Sequence, residues 1–486
     1  MKLTLIGLLL LPSWLLAQGL KLDEPGYESL PEKRSVMPVK KLPGQVDLSG
    51  YVPSVIDQGK TGTCVAISVG YYMRTILEAQ RRGINTAQGM DKVNALRSSP
   101  WYLYNSIKDA DDNACTEGIG IGAALEFMKQ NGLPSFAEVP SSTCQRPNSV
   151  KINSTSRLLD YVKLFGTLDA SNHKELATKK ALSELSPVVV GLQTTASLSN
   201  MSLNKTVSSR IMAVVPWRSA SDQAASRTRF SRWSPELSPS LGSGHAVCVV
   251  GYDDRMFGKG AFKLVNSWGS NWGDQGYFWI AYDDFNKYAK YGYQAYVQPA
   301  GKPDENILSA DLSISVATLF FGPEMAVART QAGANLTAYR VLKPQRTGTP
   351  FKFNAMLSKQ TYLYLVTASA TDSVAVKLFP DPGFSPLIGK DTRMDLPAET
   401  ILKLEGNTGL EYWLFLFSET PIDIDGYVKK LNQEKGQFTD RVQVAFGNAL
   451  VPYQQVEYKE KKMGFFLKSK NRGRIVPLLV SMNHVK

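Results

Sequence analysis

The chain has 486 residues, 43% hydrophobic and 20% charged, with 55 Lys and Arg against 43 Asp and Glu, a net charge of +12. That much apolar surface excludes a largely disordered chain, and the length predicts two or three domains. Four cysteines and three histidines exclude a disulfide scaffold and leave few metal sites. The mild basic excess comes without any nucleic-acid-binding motif, so it suits an anionic surface better than a nucleic acid.

Residues 1–17, M-K-L-T-L-I-G-L-L-L-L-P-S-W-L-L-A, read as a signal peptide cleaved before Gln18. The apolar run falls short of the ~20 residues that span a bilayer, so no transmembrane anchor is expected. The mature protein is then secreted or periplasmic, where disulfides form. Residues 18–44, with Pro25, Pro31, Pro38 and Pro43, read as a short extended leader. In 45–300 the pattern is mixed. A helix capped by Thr63 runs from Cys64 and stops at Gly83, with Arg81 and Arg82 in its last turn. Further helices are expected over Gly120–Gln130 and Lys174–Leu185, followed by a buried strand V-V-V-G. Residues 196–243 lack a period and read as a surface insertion carrying Arg210, Arg218, Arg227, Arg229 and Arg232. Two strands, A-V-C-V-V-G-Y and A-F-K-L-V-N-S-W, follow it. In 305–486, runs such as T-Y-L-Y-L-V-T-A-S and Y-W-L-F-L-F-S predict a β-rich accessory domain. Its basic stretch from Lys459 to Arg474 reads as a solvated strand pair, or as contact with an anionic envelope surface.

Three stretches carry the chemistry: D-Q-G-K-T-G-T-C-V-A-I-S (57–68), G-S-G-H-A-V-C-V-V-G-Y-D (242–253) and L-V-N-S-W-G-S-N-W-G (264–273). A thiolate is the nucleophilic form of cysteine, and a helix N-terminus favours it, which is where Cys64 falls. Gln58 lies just upstream as a donor for a developing oxyanion, beside the Cys64 N–H. His245 opens an apolar strand that aims its ring across a cleft at Cys64. Asn266 ends the next strand, where its carboxamide fixes the tautomer of that ring, and Trp268 shields the bond from water. Cys248, alternating with valines, reads as core. His173 and His484 have no such context and receive no role.

These stretches resemble, in order, the signature blocks of the papain family of cysteine peptidases. The family's Q-G-x-C-G-S-C-W-A-F-S stands here as Q-G-K-T-G-T-C-V-A-I-S. The resemblance covers about residues 45–298. It implies an α+β papain-like fold of two lobes, one helical and one β-barrel-like, acting on protein or peptide substrates without cofactor or metal. It also implies Cys64 as nucleophile, His245 as general acid/base, Asn266 as orienter and Gln58 as oxyanion donor. Gly118, in C-T-E-G, inherits backbone contact with substrate, and Gly244 and Trp268 border the cleft. Thr61, Val65 and Ile67 depart from the family block. Thr61 removes the usual partner of Cys115, and a Cys115–Cys144 disulfide is expected in its place. The leader is too short to resemble the family's folded inhibitory propeptide. Residues 351–420 resemble a β domain found attached to bacterial enzymes, which implies a bacterial source and a binding role. Two alternatives stay open: a binding protein with an occluded cleft, and an envelope transpeptidase or amidase using the same Cys-His pair.

Overall fold

The computed structural model describes residues 19–33, 41–141, 144–145, 150–153, 156–202, 231–237, 241–297, 308–317, 321–331, 336–370, 374–389, 393–397, 401–467 and 475–486. The signal-peptide segment, most of the expected insertion and residues 468–474 of the basic stretch lie outside them. The chain divides into two units, one of residues 1–24, 45–158 and 187–291, the other of 25–44, 159–186 and 292–486.

In the first unit, β1 (Gln45–Asp47) precedes a continuous helix made of α1 (Cys64–Ala66), a π-helical stretch (Ile67–Met73) and α2 (Arg74–Arg82). Every residue from Cys64 to Ala79 is buried, so this helix is covered on every side. The two charged side chains in that run, Arg74 and Glu78, bond each other at 3.0 Å. Burial alone would raise the Glu78 carboxyl, but Arg81, Arg74 and Arg82 hold it down at about 2. Gly83 ends the helix at φ 67°, a left-handed cap that glycine takes at no steric cost. Thr63 sits at the N-cap position, but its hydroxyl pairs with Thr61 Oγ1 at 2.8 Å instead of capping the helix. Next come α3 (Pro100–Ile107), whose Ser99 cap accepts from Tyr102 N and which the sequence reading did not mark, and α4 (Ile121–Gln130), where the sequence places it.

An antiparallel sheet completes this unit, ordered β2 (Val188–Thr195), β3 (Leu241–Asp253), β4 (Ala261–Val265) and β5 (Tyr277–Ala281), with β1 paired to β3. β3 begins five residues before the expected Ala246, because its glycine-rich start continues the ladder along β2 to Leu241↔Thr195. One part of the expected surface insertion is core. Trp233 is fully buried, its ring edge-on to Phe278 and its N–H donated to Ser197 Oγ at 3.0 Å.

The second unit also corrects the reading of the leader as extended. Glu24–Glu28 is helical, and Tyr27 is buried, donating to Phe165 O at 2.5 Å and accepting from Gly292 N at 3.0 Å. Helix α5 (Ser171–Ser183) starts three residues earlier than expected and stops before Leu185, which has φ 61°.

The C-terminal part is β-rich. One sheet joins β6 (Ser309–Ala317), β7 (Pro350–Leu357) and β10 (Met463–Leu467); the other joins β8 (Thr361–Ser369), β9 (Gly409–Ser418) and β11 (Ile475–Val485). Between the sheets lie Leu363, Leu365, Phe353, Trp413, Phe415, Phe417 and Val480. On the other face of β8 and β9, Tyr362, Tyr364, Val366, Leu414 and Leu416 meet Leu431 and Val442. Those two residues belong to helices α6 (Ile424–Gln433) and α7 (Phe438–Phe446), which the sequence reading did not separate from the strands. Burial on both faces is why these strands read as unbroken apolar runs instead of alternating. In the basic stretch, Val456–Tyr458 and Met463–Leu467 pair antiparallel, with Lys459 tied to Asp311.

Candidate active site

Each of the three sequence stretches delivers its side chains through a different element of the first unit. Cys64 is the first residue of α1, fully buried. His245 lies on β3 opposite Leu192 of β2, and Asn266 follows the last residue of β4, with its N–H bonded to Gly276 O at 2.9 Å. Because β3 and β4 are antiparallel neighbours, 21 residues of chain bring the two together. His245 Nε2 donates to Asn266 Oδ1 at 2.8 Å. That bond places the proton of the neutral ring on Nε2 and leaves Nδ1, buried and without a hydrogen-bond partner, as the basic nitrogen. Trp268 stacks on the His245 ring, centroids 4.8 Å apart and planes 29° apart, and Trp272 meets Trp268 edge-on at 5.0 Å.

The orienting amide is itself held. Asn266 Oδ1 also accepts from Ser267 N, and Asn266 O accepts from Tyr72 OH of the π-helical stretch at 3.0 Å. Gln58 is clamped on both ends of its amide: Nε2 donates to Thr61 O at 2.7 Å, and Oε1 accepts from Ser267 Oγ. Asp57 bridges to Trp268. A single hydrogen-bonded assembly therefore joins the segment before the helix to the segment after β4.

Burial sets the charge state. It pushes the Cys64 thiol up to about 11, against backbone hydrogen bonds from Ala246, Gly19, Val65 and Cys64 itself. It pulls His245 down to about 4, against the Asn266 bond. Both shifts favour the neutral thiol and the neutral imidazole.

Against the thiol lies the segment Gly19–Lys21, which sequence reasoning missed. Gly19 directs its N–H at the Cys64 sulfur. Its carbonyl accepts from Ile119 N at 3.0 Å, and Lys21 N donates to Ile119 O at 3.2 Å, so Leu20 and Ile119 form a parallel bridge. On the other side, Leu20 N donates to Gly244 O at 3.4 Å. Glycines make the fit: an ideal Cβ on Gly19 would lie 1.8 Å from Gly62 O, and one on Gly118 2.0 Å from Gly19 O. The Leu20 side chain packs where a Cβ on Gly191 would lie 2.9 Å from its Cδ2 and 3.0 Å from Tyr291 Cδ2. The Q-G-L context of 18–20 holds no hydropathy signal strong enough to mark this contact.

Gly118 gives its N–H to Tyr104 OH at 2.9 Å, while its neighbour Ile119 presents both backbone groups to the segment. Cys115 and Cys144 form a disulfide, and Cys248 is a free, fully buried thiol.

Residues 233–297, from Trp233 through β3, Asn266 and Trp268, match the family model for papain family cysteine protease. The chain is 28% identical over 249 residues to a cathepsin L-like proteinase of Fasciola hepatica, covering 50% of this chain and 61% of the relative. It is 28% identical over 267 residues to cathepsin S of Bos taurus, covering 53% and 66%. These matches support a papain-family cysteine protease domain. The chain spans less than two thirds of the length of both relatives. Among solved structures, xylellain, a cysteine protease from Xylella fastidiosa, aligns with 20% identity and a TM-score of 0.39, over 58% of this chain and 96% of that one. No helix among the described residues is long and apolar enough to cross a membrane.

Proposed function

We propose that this papain-like domain is a cysteine endopeptidase, with Cys64 as nucleophile, His245 as general acid/base, Asn266 as orienter and Gln58 as oxyanion donor. The observation that carries the reading is the His245–Asn266 bond under Trp268, which leaves His245 Nδ1 basic and unpaired beside a helix that starts at Cys64. The thiol proton passes to His245 Nδ1 as sulfur bonds to the substrate carbonyl carbon. The carbonyl electrons move to oxygen, where the Gln58 amide and the Cys64 N–H receive the charge. Collapse breaks the C–N bond, and Nδ1–H protonates the leaving amine. Water then adds to the acyl carbon and gives its proton to Nδ1, the C–S bond breaks, and sulfur recovers its proton.

We read Gly19–Lys21 as the occupant that a substrate displaces. A substrate strand then takes the Ile119 rung, and an apolar side chain takes the place of Leu20 against Gly191 and Tyr291. Export through the segment 1–17 accords with the Cys115–Cys144 disulfide. The test is hydrolysis of unfolded casein by the full chain. We expect activity that falls to background in Cys64→Ala and in His245→Ala; equal cleavage by all three would overturn the assignment.

A further inference from the structure

Peptide-binding strips need backbone groups that keep one orientation when the cleft is empty. Here the strip is Thr116–Ile119, part of a loop outside helix and strand, so nothing in regular secondary structure holds its N–H and C=O groups in place. A buried pair holds them instead. Tyr104, on α3 and fully buried, donates its hydroxyl to Asp112 Oδ2 at 2.6 Å and accepts from Gly118 N at 2.9 Å. Asp112, also buried, accepts from Thr116 N at 2.9 Å and takes a further backbone bond from Glu117. Three successive N–H groups, those of Thr116, Glu117 and Gly118, therefore point inward to one phenol and one carboxylate. The turn at Gly118, φ 83°, then faces the next residue the other way, so that Ile119 N–H and C=O both point at the cleft segment.

We propose that Tyr104, acting with Asp112, is the positioning residue of the substrate-binding strip: it sets Ile119 as the rung that grips the second residue of a peptide from the thiol. This deepens, and rests on, the peptidase reading above. Gly19 lies at the sulfur with its C=O on Ile119 N, and Ile119 O takes its bond from Lys21 N two residues further on, so a peptide that extends only one residue from the thiol reaches at most one of the two Ile119 groups. Losing the rung therefore weakens long substrates, which use both groups, more than short ones.

The experiment compares kcat/KM of the full chain for a tripeptidyl nitrophenyl ester and a one-residue nitrophenyl ester with the same leaving group. Both need Gly19–Lys21 to leave, so their ratio is independent of how often it does. In Tyr104→Phe the ratio should fall about tenfold, the scale of a lost, well-aligned hydrogen bond, with the larger loss on the tripeptidyl ester. Asp112→Asn should lower the ratio in the same direction. Alkylation of Cys248 by iodoacetamide in native protein reports the fold and should stay as slow as in wild type. An unchanged ratio, or equal loss on both esters, would overturn the positioning role. Rapid alkylation of Cys248 in both variants would assign the pair to stability alone and overturn it too. A wild-type chain that hydrolyses neither ester would sink the peptidase reading, a different outcome from an active chain with an unmoved ratio.

Discussion

At the scale of the residue, the candidate site is a balance between burial and bonding. The His245–Asn266 bond favours the protonated ring, but full burial outweighs it and the folded value drops to about 4 from 6.5. The unfolded chain therefore binds a proton at His245 between pH 6.5 and 4 that the folded chain refuses. Stability rises with pH across that window and is lost as pH falls from 6.5 to 4. The full contribution is about 3 kcal/mol at ~1.4 kcal/mol per unit. Urea denaturation from pH 7 to 4 should show wild type losing about that much more than His245→Gln. Parallel losses in the two proteins would mean that His245 is already solvated in the folded state. Most of this site was legible in the sequence, since cysteine, histidine and asparagine each occur in a motif whose spacing suits one helix and two neighbouring strands. The clamp on Gln58 was not, because its partners Thr61 O and Ser267 Oγ come together only through the fold.

At the scale of the element, the long buried helix and the Gly19–Lys21 segment show what a sequence hides. The helix was readable from its start at Cys64 to its stop at Gly83, but its π-helical middle was not, because Ile67–Met73 is buried on every side and its burial shows no period that would tell one helix type from the other. The segment was invisible for another reason: three residues joined to the cleft by backbone bonds and one leucine have no period. Leu20 is 7% exposed, and burying such a side chain contributes about 1.5–3 kcal/mol. Gly19→Val forces a side chain into Gly62 O and should expel the segment. Iodoacetamide should then label Cys64 at least ~10-fold faster than in wild type, with Cys248 unchanged. Equal labelling of Cys64 in both proteins would show that the segment does not cover the thiol in solution.

At the scale of the whole molecule, each unit has a core of its own kind. The first packs a buried helix and a sheet around the site; in the second, a sandwich of two sheets carries α6 and α7 on one outer face. The β-rich character of the C-terminal part followed from its aromatic and branched runs. Its two helices did not, since I-D-G-Y-V-K-K-L-N-Q and F-T-D-R-V-Q-V-A-F have short, polar-rich periods that only packing on β8 and β9 decides. Phe415 is central to that sandwich, fully buried and edge-on to Phe353 at 5.0 Å. Phe415→Ala should cost the second unit about 3–5 kcal/mol in denaturant titration; a loss below ~1 kcal/mol would place the core elsewhere.

The central claim is that Cys64 is an assembled nucleophile rather than a buried core thiol like Cys248. The most direct measurement is the intact mass of native protein after exposure to a peptidyl epoxide that alkylates activated thiols, with Cys64→Ala and unfolded protein alongside. The account predicts one adduct on native protein, formed faster in Gly19→Val and absent from Cys64→Ala and from the unfolded chain. No adduct on either native protein, while Cys64 labels freely with iodoacetamide in Gly19→Val, would contradict it: the thiol would then be reachable but not activated.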